Sequence, residues 1–273
     1  MKLRVSPFSA RVRRQYATVV ALASAIASFY LINVDIQSNQ RRRYIIAASV
    51  GLFCVYLVIW ILANIRRQAR LNINGSSLII KTGDLFSEQG LKVIAFNEYF
   101  DTNADDILIS KTSLNGQYML KMSSSQRRDL DSRIANDPLL AEHTIGVNTT
   151  RRRGKKVKYP LGSVFVDGDF LLVAFSHFDG NDKAVLSLKE YVACLLNFWE
   201  EVDRVYAGRS VAVPLMGAGI TRFKDTEVQP QELLKILIWT FKISRIKFKY
   251  PANATIVIHT SNADKINFYD IVD

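Results

Sequence analysis

Acidic side chains are almost absent from the first 81 residues of this 273-residue chain. That segment contains twelve of the 36 lysines and arginines but a single acid, Asp35, so its net charge is +11. The rest of the chain contains 24 basic and 24 acidic residues, which balance to zero. A nucleic-acid-binding domain would carry excess positive charge on its own folded surface. The charge distribution therefore argues against nucleic acid as a partner.

Cysteine and histidine are also scarce, with two and three residues. Cys54 lies in an apolar run and Cys194 in a helical pattern, so no disulfide is expected between them, which fits a reducing compartment. His143, His177 and His259 show no metal-ligand spacing, so no metal site is predicted. His177 ends an apolar strand, where a structural role is favoured over a catalytic one.

Two long runs contain no charged residue at all. Residues 17–34 and 44–65 would form helices about 27 and 33 Å long, which matches a hydrocarbon core of about 30 Å. A buried helical pair in a soluble protein would keep one polar face, and neither run has one. A cleavable signal peptide would account for the first run but not for the second. We therefore expect a transmembrane helical hairpin within residues 1–67.

The basic residues around this hairpin predict its orientation. Eight of them lie before or after it, on the side shared by its two ends, against three arginines in the link at residues 35–43. By the positive-inside rule, the N-terminus and the following domain are expected in the cytoplasm. Small residues recur every four positions, as at Ala17, Ala21 and Ala25. This spacing permits close helix packing, either within one hairpin or between the hairpins of several subunits.

After a predicted linker at residues 68–77, strands alternate with helical patterns over a domain at 78–273. Short apolar runs predict strands at 78–80, 93–96, 107–109, 211–213 and 256–258, and a hairpin at 164–175. Helical spacing predicts helices at 123–135, at 185–206 and from Pro230 onward. This alternation indicates an α/β fold whose parallel or mixed sheet is covered by helices on both faces.

Three loops at strand ends contain small or polar residues. They are the loop that begins at Gly83, the loop that runs from Asn97 to Gly116, and the turn at 217–222. A turn of small residues at the carboxyl end of a strand lets backbone N–H groups converge on a phosphate. Open α/β sheets bind ligands in the crevice at that end. A Gly-Ala-Gly turn alone is more often structural, so the prediction depends on the three loops together.

The segments LIIKTGDLF, VIAFNEYFDT and VAVPLMGAGITRF, in that order, resemble the macro domain family. Macro domains show a strand ending in Gly-Asp-Ile, a strand ending in Asn, and a late strand followed by Gly-Thr-Gly-Ile. The resemblance implies a macro-domain-like three-layer α/β/α sandwich with a mixed sheet. It also implies binding of ADP-ribose or one of its derivatives.

The resemblance assigns roles to individual residues. Asp84 would accept a hydrogen bond from the adenine amino group, and Leu85 would add a backbone contact. Asn97 and its loop would face the distal ribose, and the turn at 217–221 would cradle the diphosphate, with Arg222 at its edge. The full predicted ligand site consists of Asp84, Leu85, Asn97, Phe100, Asp101, Ser113, Leu114, Asn115, Gly116, Gly217, Ala218, Gly219, Ile220, Thr221 and Arg222.

This chain departs from hydrolytic macro domains at two places. They carry a second asparagine where this chain has Phe100, and a glycine-rich run where it has Ser-Leu-Asn-Gly. Both differences favour binding over de-ADP-ribosylation, so no catalytic residue is predicted. Phe100 is expected to stack on a base or imidazole attached to the ligand. One alternative is a membrane-tethered ADP-ribosyl hydrolase that uses Asn97 and Asp101, with Glu98 nearby. Another is a constitutive membrane scaffold with a vestigial pocket.

The wider pattern, with IAFNEYFDT, YPLGSVF and FWEEV behind an N-terminal hairpin, resembles the membrane effectors of type II Thoeris anti-phage defence. That resemblance implies a multi-pass protein of the bacterial inner membrane. It implies a TIR-domain partner that consumes NAD and makes an ADP-ribose conjugate, and no cofactor besides this ligand. The domain would sense the conjugate, form a homo-oligomer and disrupt the lipid bilayer.

Six basic residues crowd the segment at 151–158. A solvated hairpin is the simplest interpretation. Lipid headgroups or a ligand phosphate are the alternatives, because such clusters are attracted to anionic surfaces.

Overall fold

The computed structural model describes residues 3–32 and 37–271. These residues form two compact units, one at 3–69 with 267–271 and the other at 70–266. The first contains the two N-terminal helices, and the second contains nearly all of the sheet and the helices packed on it.

The first unit is built on helices α1 (Ala10–Ile32) and α2 (Ser38–Ile65). Both are long and apolar enough to cross a membrane, and their apolar stretches are not buried within the structure. Both begin earlier than predicted, because arginine is a good helix former and the basic flanks continue the helices. The predicted link is therefore helical from residue 38. Residues 33–36, which include Asp35 and the end of the first predicted run, lie outside the described part.

Residues from both ends of the chain pack in this unit. The Asn64 side chain accepts hydrogen bonds from the backbone N–H groups of Arg4 and Val5, at 2.8 and 3.0 Å. The Tyr269 hydroxyl donates to the Gln15 side chain at 2.6 Å, and Tyr269 is buried. The domain predicted at 78–273 thus ends earlier in the structure, because residues 267–271 group with the helices.

The strands of the protein are β1 (Gln68–Ile73), β2 (Ser76–Thr82), β3 (Leu91–Asn97), β4 (Gly146–Val147), β5 (Val157–Lys158), β6 (Val164–Asp167), β7 (Phe170–Phe178), β8 (Ala184–Leu186), β9 (Val211–Pro214), β10 (Arg222–Phe223) and β11 (Ala254–Ile258). The remaining helices are α3 (Leu114–Leu120), α4 (Ser124–Ala135), α5 (Pro138–Glu142), α6 (Leu188–Val205), α7 (Pro230–Ser244) and α8 (Thr260–Ala263). The residues predicted as a linker at 68–77 instead form β1 and the start of β2.

The large sheet is mixed, with the strand order β1-β2-β11-β9-β3-β7-β8-β10. Strands β2, β11, β9, β3 and β7 run parallel to one another. Strands β6 and β8 each pair antiparallel with β7, which confirms the predicted hairpin at 164–175. The outer strand β10 pairs parallel with β8.

Helices cover both faces of the sheet. Neighbouring residues of one strand contact different helices, because their side chains point to opposite faces. On β7, Leu172 and Ala174 join a buried cluster with Tyr118 of α3 and Leu130 of α4. The next residue, Phe175, meets Tyr191 of α6 on the other face, at 5.9 Å between ring centroids. This arrangement confirms the predicted α/β/α layers.

Two predicted elements are wrong in detail. Residues 107–109 form no strand, because the Asp105 carboxylate accepts hydrogen bonds from the backbone N–H groups of Ile107 and Leu108, each at 2.8 Å, and holds a turn. The helix predicted at 185–206 starts only at residue 188. Residues 184–186 form β8, and Ser187 caps the helix through the backbone N–H of Glu190.

Candidate functional site

The carboxyl ends of five parallel strands meet along one edge of the sheet, in the order β2, β11, β9, β3 and β7. Neighbouring strands lie about 4.8 Å apart, so this row is roughly 19 Å long. A cleft of about 460 Å³, which we call the strand-end cleft, follows it. The predicted site residues that line it are Asp84, Leu85, Asn97, Ser113, Leu114, Asn115, Gly217, Ala218, Gly219, Ile220 and Thr221. Phe100, Asp101, Gly116 and Arg222 do not.

Asp84 marks the β2 end of the cleft. Its side chain is exposed and accepts a hydrogen bond from the backbone N–H of Phe86 at 3.2 Å, and a further one from the Ser87 hydroxyl at 3.3 Å. These bonds fix the orientation of the carboxylate at the start of a short 3₁₀ turn. The carboxylate therefore has acceptor capacity left for an amino group in the cleft.

The turn at residues 217–221 follows β9, in the middle of the row. Gly217 has a φ of +84°, a left-handed conformation that glycine adopts without steric cost. The Asn262 amide donates to the carbonyl of Ala218 at 3.2 Å and holds the turn in place. An exposed backbone turn of this kind offers N–H groups to a phosphate.

Arg222 lies beside the turn at 217–221, since Gly217, Ala218, Gly219 and Thr221 line the same cavity as Arg222, but it does not line the strand-end cleft. It begins β10, and this neighbouring cavity has a volume of about 530 Å³. The pairing of Arg222 with Val185 in β8 accounts for this position. Among the described residues, Lys265 is the lysine or arginine that lines the cleft, and it lines the neighbouring cavity as well.

Asn97 uses its side chain to hold its own loop. The amide oxygen accepts from the backbone N–H groups of Tyr99 (3.0 Å) and Asp101 (3.2 Å), and the amide nitrogen donates to the Asp101 carboxylate (2.8 Å). Asp101 is itself buried in an ion pair with Arg151 at 2.6 Å. Asn97 thus shapes the wall of the cleft, and Asp101 supports it from behind.

The prediction for Phe100 is wrong. Its side chain is fully buried and packs against Phe96 and Tyr159, at 6.0 and 5.4 Å between ring centroids. The loop held by Asn97 places Phe100 at a φ of +52°, which directs its ring into the core. Of the phenylalanines that line the cleft, Phe96 and Phe175 are buried, and Phe178 at the end of β7 is half-buried.

Ser113 and the first turn of α3 contribute three of the four residues predicted there to the cleft. Ser113 caps the helix, since its hydroxyl accepts from the backbone N–H of Gly116 at 2.9 Å. Gly116 is instead pressed against the loop, because a Cβ there would lie 2.1 Å from the carbonyl oxygen of Ser110. Its role is close packing and not ligand contact.

Glu98 forms a buried charge cluster behind the cleft. Its carboxylate, 1% exposed, contacts Nδ1 of His177 at 2.7 Å and the Lys158 ammonium at 3.1 Å. Burial alone would raise the pKa of Glu98, but the hydrogen bonds and charges of His177 and Lys158 lower it overall. His177 is therefore a partner in a structural cluster, as its place in an apolar strand predicts.

The lowered pKa predicts a loss of stability in acid. Because the folded state holds Glu98 ionised, this contribution is complete above the ordinary value of 4.5 and is lost as the pH falls through the lowered pKa. We expect the thermal midpoint of Glu98→Gln to lie below that of the parent at pH 7, and the difference to narrow toward pH 3.5. A difference that stays constant over this range would contradict the assignment.

Within residues 3–32 and 37–271, no cluster of three or more His, Cys, Asp or Glu side chains could hold a metal ion. The sequence reasoning missed several lining residues, among them Phe178, His259, Asn262 and Lys265. His259 and Asn262 follow β11, so the strand-end rule that selected the other loops also applies to them. Phe178 carried no such signal, because the β7–β8 pairing was not predicted.

Comparison with known proteins identifies the family. The family model described as "Thoeris protein ThsA, Macro domain" matches residues 78–259. A "Thoeris protein ThsA" of Bacillus amyloliquefaciens (strain Y2) is 41% identical over 263 residues, which cover 95% of this chain and 88% of that protein. Solved macrodomains of Oceanobacillus iheyensis are also similar. A variant with ADPR has 14% identity and a TM-score of 0.47 over 74% of this chain and 94% of that one. The form with ADP has 14% identity and a TM-score of 0.45 over 74% and 92%. The chain therefore belongs to the Thoeris ThsA family, and residues 78–259 are its macro domain.

Proposed function

We propose that this protein is a membrane-anchored effector whose strand-end cleft binds an ADP-ribose-derived signal. A TIR-domain enzyme that consumes NAD would supply the signal. Binding would drive homo-oligomerisation, and the apolar helices would then disrupt the bacterial inner membrane. The observation that carries the proposal is the cleft itself, in which an oriented carboxylate and a bare backbone turn lie along one row of strand ends.

The order of the strands supports a nucleotide lying along the cleft. Asp84 at the β2 end suits the adenine amino group, since a carboxylate accepts from an amine. The turn at 217–221 follows two strands further on and suits the diphosphate, with Lys265 as a nearby cation. Beyond it, the ends of β3 and β7 leave room for the second ribose and an attached group.

The first unit supports the membrane role. The apolar stretches of α1 and α2 are not buried within the structure. A lipid bilayer is the environment that suits apolar helices of this length. Eight basic residues lie before the apolar stretch of α1 or after that of α2, against three arginines in the first turns of α2. This bias supports a cytoplasmic N-terminus and macro domain.

The function is tested by dye release from liposomes that contain the 273-residue chain. We expect release on addition of a base- or histidine-conjugated ADP-ribose, together with a rise in molecular mass. The Gly219→Glu variant, described below, should show neither effect. Release that is independent of nucleotide would favour a constitutive scaffold and contradict the proposal.

The hydrolase alternative depends on Asn97 and Asp101, and both are engaged elsewhere. The Asn97 amide bonds within its loop, and Asp101 pairs with Arg151. Neither is therefore free to position a water, which supports binding over turnover. Chromatographic detection of ADP-ribose release from an ADP-ribosylated substrate, lost on Asn97→Ala, would support the alternative instead.

Phe178 takes over the stacking role that the sequence suggested for Phe100. We expect Phe178→Leu to weaken binding of a base-conjugated ADP-ribose by about 3- to 10-fold, because an aromatic pair contributes about 0.5–1.5 kcal/mol beyond area burial. Affinity for plain ADP-ribose should stay within about twofold, and calorimetric titration measures both values. Phe100→Leu is the matched control and should lower stability without changing this ratio. Equal losses for both ligands in Phe178→Leu would contradict the assignment.

A further inference from the structure

Asn115 lies in the wall of the strand-end cleft, and its side-chain amide oxygen is unsatisfied. The residue is 7% exposed, and its Oδ1 has no hydrogen-bond partner among the described residues. The neighbouring polar side chains that line the cleft are paired. The Ser113 hydroxyl donates to the carbonyl of Ser110 at 2.6 Å, and the Gln117 amide donates to the carbonyl of Thr112 at 3.0 Å. Asn115 therefore stands out from its surroundings.

A buried acceptor without a partner is costly to the folded protein, and a ligand that supplies a donor removes that cost. The chemistry of the acceptor limits the donor. Phosphate oxygens at neutral pH only accept hydrogen bonds from the protein, so the diphosphate cannot serve an amide oxygen. A hydroxyl or an N–H group can.

The position of Asn115 limits the donor further. Asn115 belongs to α3, which packs against β3. Counted from β2, where Asp84 is proposed to bind the adenine, β3 lies beyond β9 and the turn that is proposed for the diphosphate. The remaining donors on this side are the hydroxyls of the second ribose and N–H groups of whatever is attached to it.

We infer that Asn115 is a specificity-determining residue that accepts a hydrogen bond from the ribose end of the nucleotide, so that the site distinguishes ADP-ribose compounds from ADP. This inference rests on the proposed nucleotide binding. It explains why a polar side chain occupies a buried place that α3 could fill with an apolar one. Its partner is either a ribose hydroxyl or an attached N–H group.

The test compares Asn115→Leu with the parent in the 273-residue chain, by calorimetric titration with ADP, ADP-ribose and NAD. Leucine is close to asparagine in size but removes the acceptor. We expect affinity for ADP-ribose or NAD to fall by about tenfold or more, and affinity for ADP to change by less than about twofold. The thermal midpoint without nucleotide should stay equal or rise, because an unsatisfied group has been removed. Asn136→Leu, the same substitution at an exposed position outside the cleft, is the control and should bind all three as the parent does.

The outcomes separate the two proposals. Loss confined to NAD identifies the attached group as the donor, and loss for ADP-ribose as well identifies a ribose hydroxyl; both support the inference. An equal loss for ADP, or a lowered thermal midpoint with unchanged ligand ratios, overturns it and assigns Asn115 a structural role. If the parent protein binds none of the three nucleotides, the proposed function itself is contradicted, and so is the inference that rests on it.

Discussion

Replacing Gly219 with glutamate should reduce ADP-ribose affinity at least about a hundredfold, which corresponds to about 2.7 kcal/mol. Gly219 is exposed in the middle of the turn at 217–221, and no atom lies within 4 Å of the place its Cβ would occupy. The larger side chain therefore fits without strain. It brings a carboxylate to the place proposed for the diphosphate, where two like charges 4 Å apart repel by about 4 kcal/mol at an effective dielectric constant of 20.

The control for this variant is Gly219→Gln, which has nearly the same shape without the charge. Calorimetric titration of both should show that glutamine costs far less affinity than glutamate. The thermal midpoints of both variants without ligand should match the parent. Equal losses for the two variants would mean that bulk and not charge causes the effect, and full affinity in the glutamate variant would remove the phosphate from this turn.

Replacing Arg151 with leucine should destabilise the macro domain by about 3–5 kcal/mol, the cost of leaving a buried charge without its partner. The Arg151 and Asp101 side chains are only 5% and 2% exposed. The guanidinium bonds both carboxylate oxygens, donates to the carbonyl of Lys155 at 2.6 Å and lies 4.0 Å from the ring centroid of Tyr99. Leucine would remove these hydrogen bonds, and with them the ion pair between the segment at 151–155 and the loop that Asn97 holds.

The measurement is the thermal midpoint, which should fall by roughly 6–20 °C for a domain of this size. Arg152→Leu is the matched control, since Arg152 is adjacent and exposed, and surface substitutions usually change stability by less than about 0.5 kcal/mol. A similar fall in both variants would show that general charge in the segment, and not the buried pair, stabilises the domain. An unchanged midpoint in Arg151→Leu would contradict the ion pair.

The basic segment at 151–158 illustrates what sequence can and cannot decide. Its composition was compatible with a solvated hairpin, with lipid or with a phosphate. In the structure, Arg151, Lys155 and Lys158 pair with Asp101, Asp131 and Glu98. These acids lie 24 to 60 positions earlier in the chain than their partners, a separation that no local pattern reveals. Only the other three basic residues of the segment remain exposed, at positions 152, 153 and 156.

The central strands were predictable because continuous apolar runs are typical of strands buried on both faces. Strand β1 was missed because it directly follows the apolar run of α2, which favoured a linker, although its alternation of polar and apolar residues is typical of a half-buried strand. The loop residues that directly follow strands were predictable as site residues, because open α/β sheets bind ligands at the carboxyl ends of their strands. The direction of Phe100 was not, since it depends on the left-handed backbone that the Asn97 amide imposes.

The most direct test of this account is calorimetric titration of the 273-residue chain in detergent with ADP-ribose and with a base-conjugated ADP-ribose. The intact chain is used because a start at residue 78 would remove β1 and the first two residues of β2, its neighbour in the sheet. We predict saturable binding at one site, tighter for the conjugate, and lost in both Asp84→Ala and Gly219→Glu. No binding of either compound, or binding that both variants retain, would contradict a nucleotide site in the strand-end cleft.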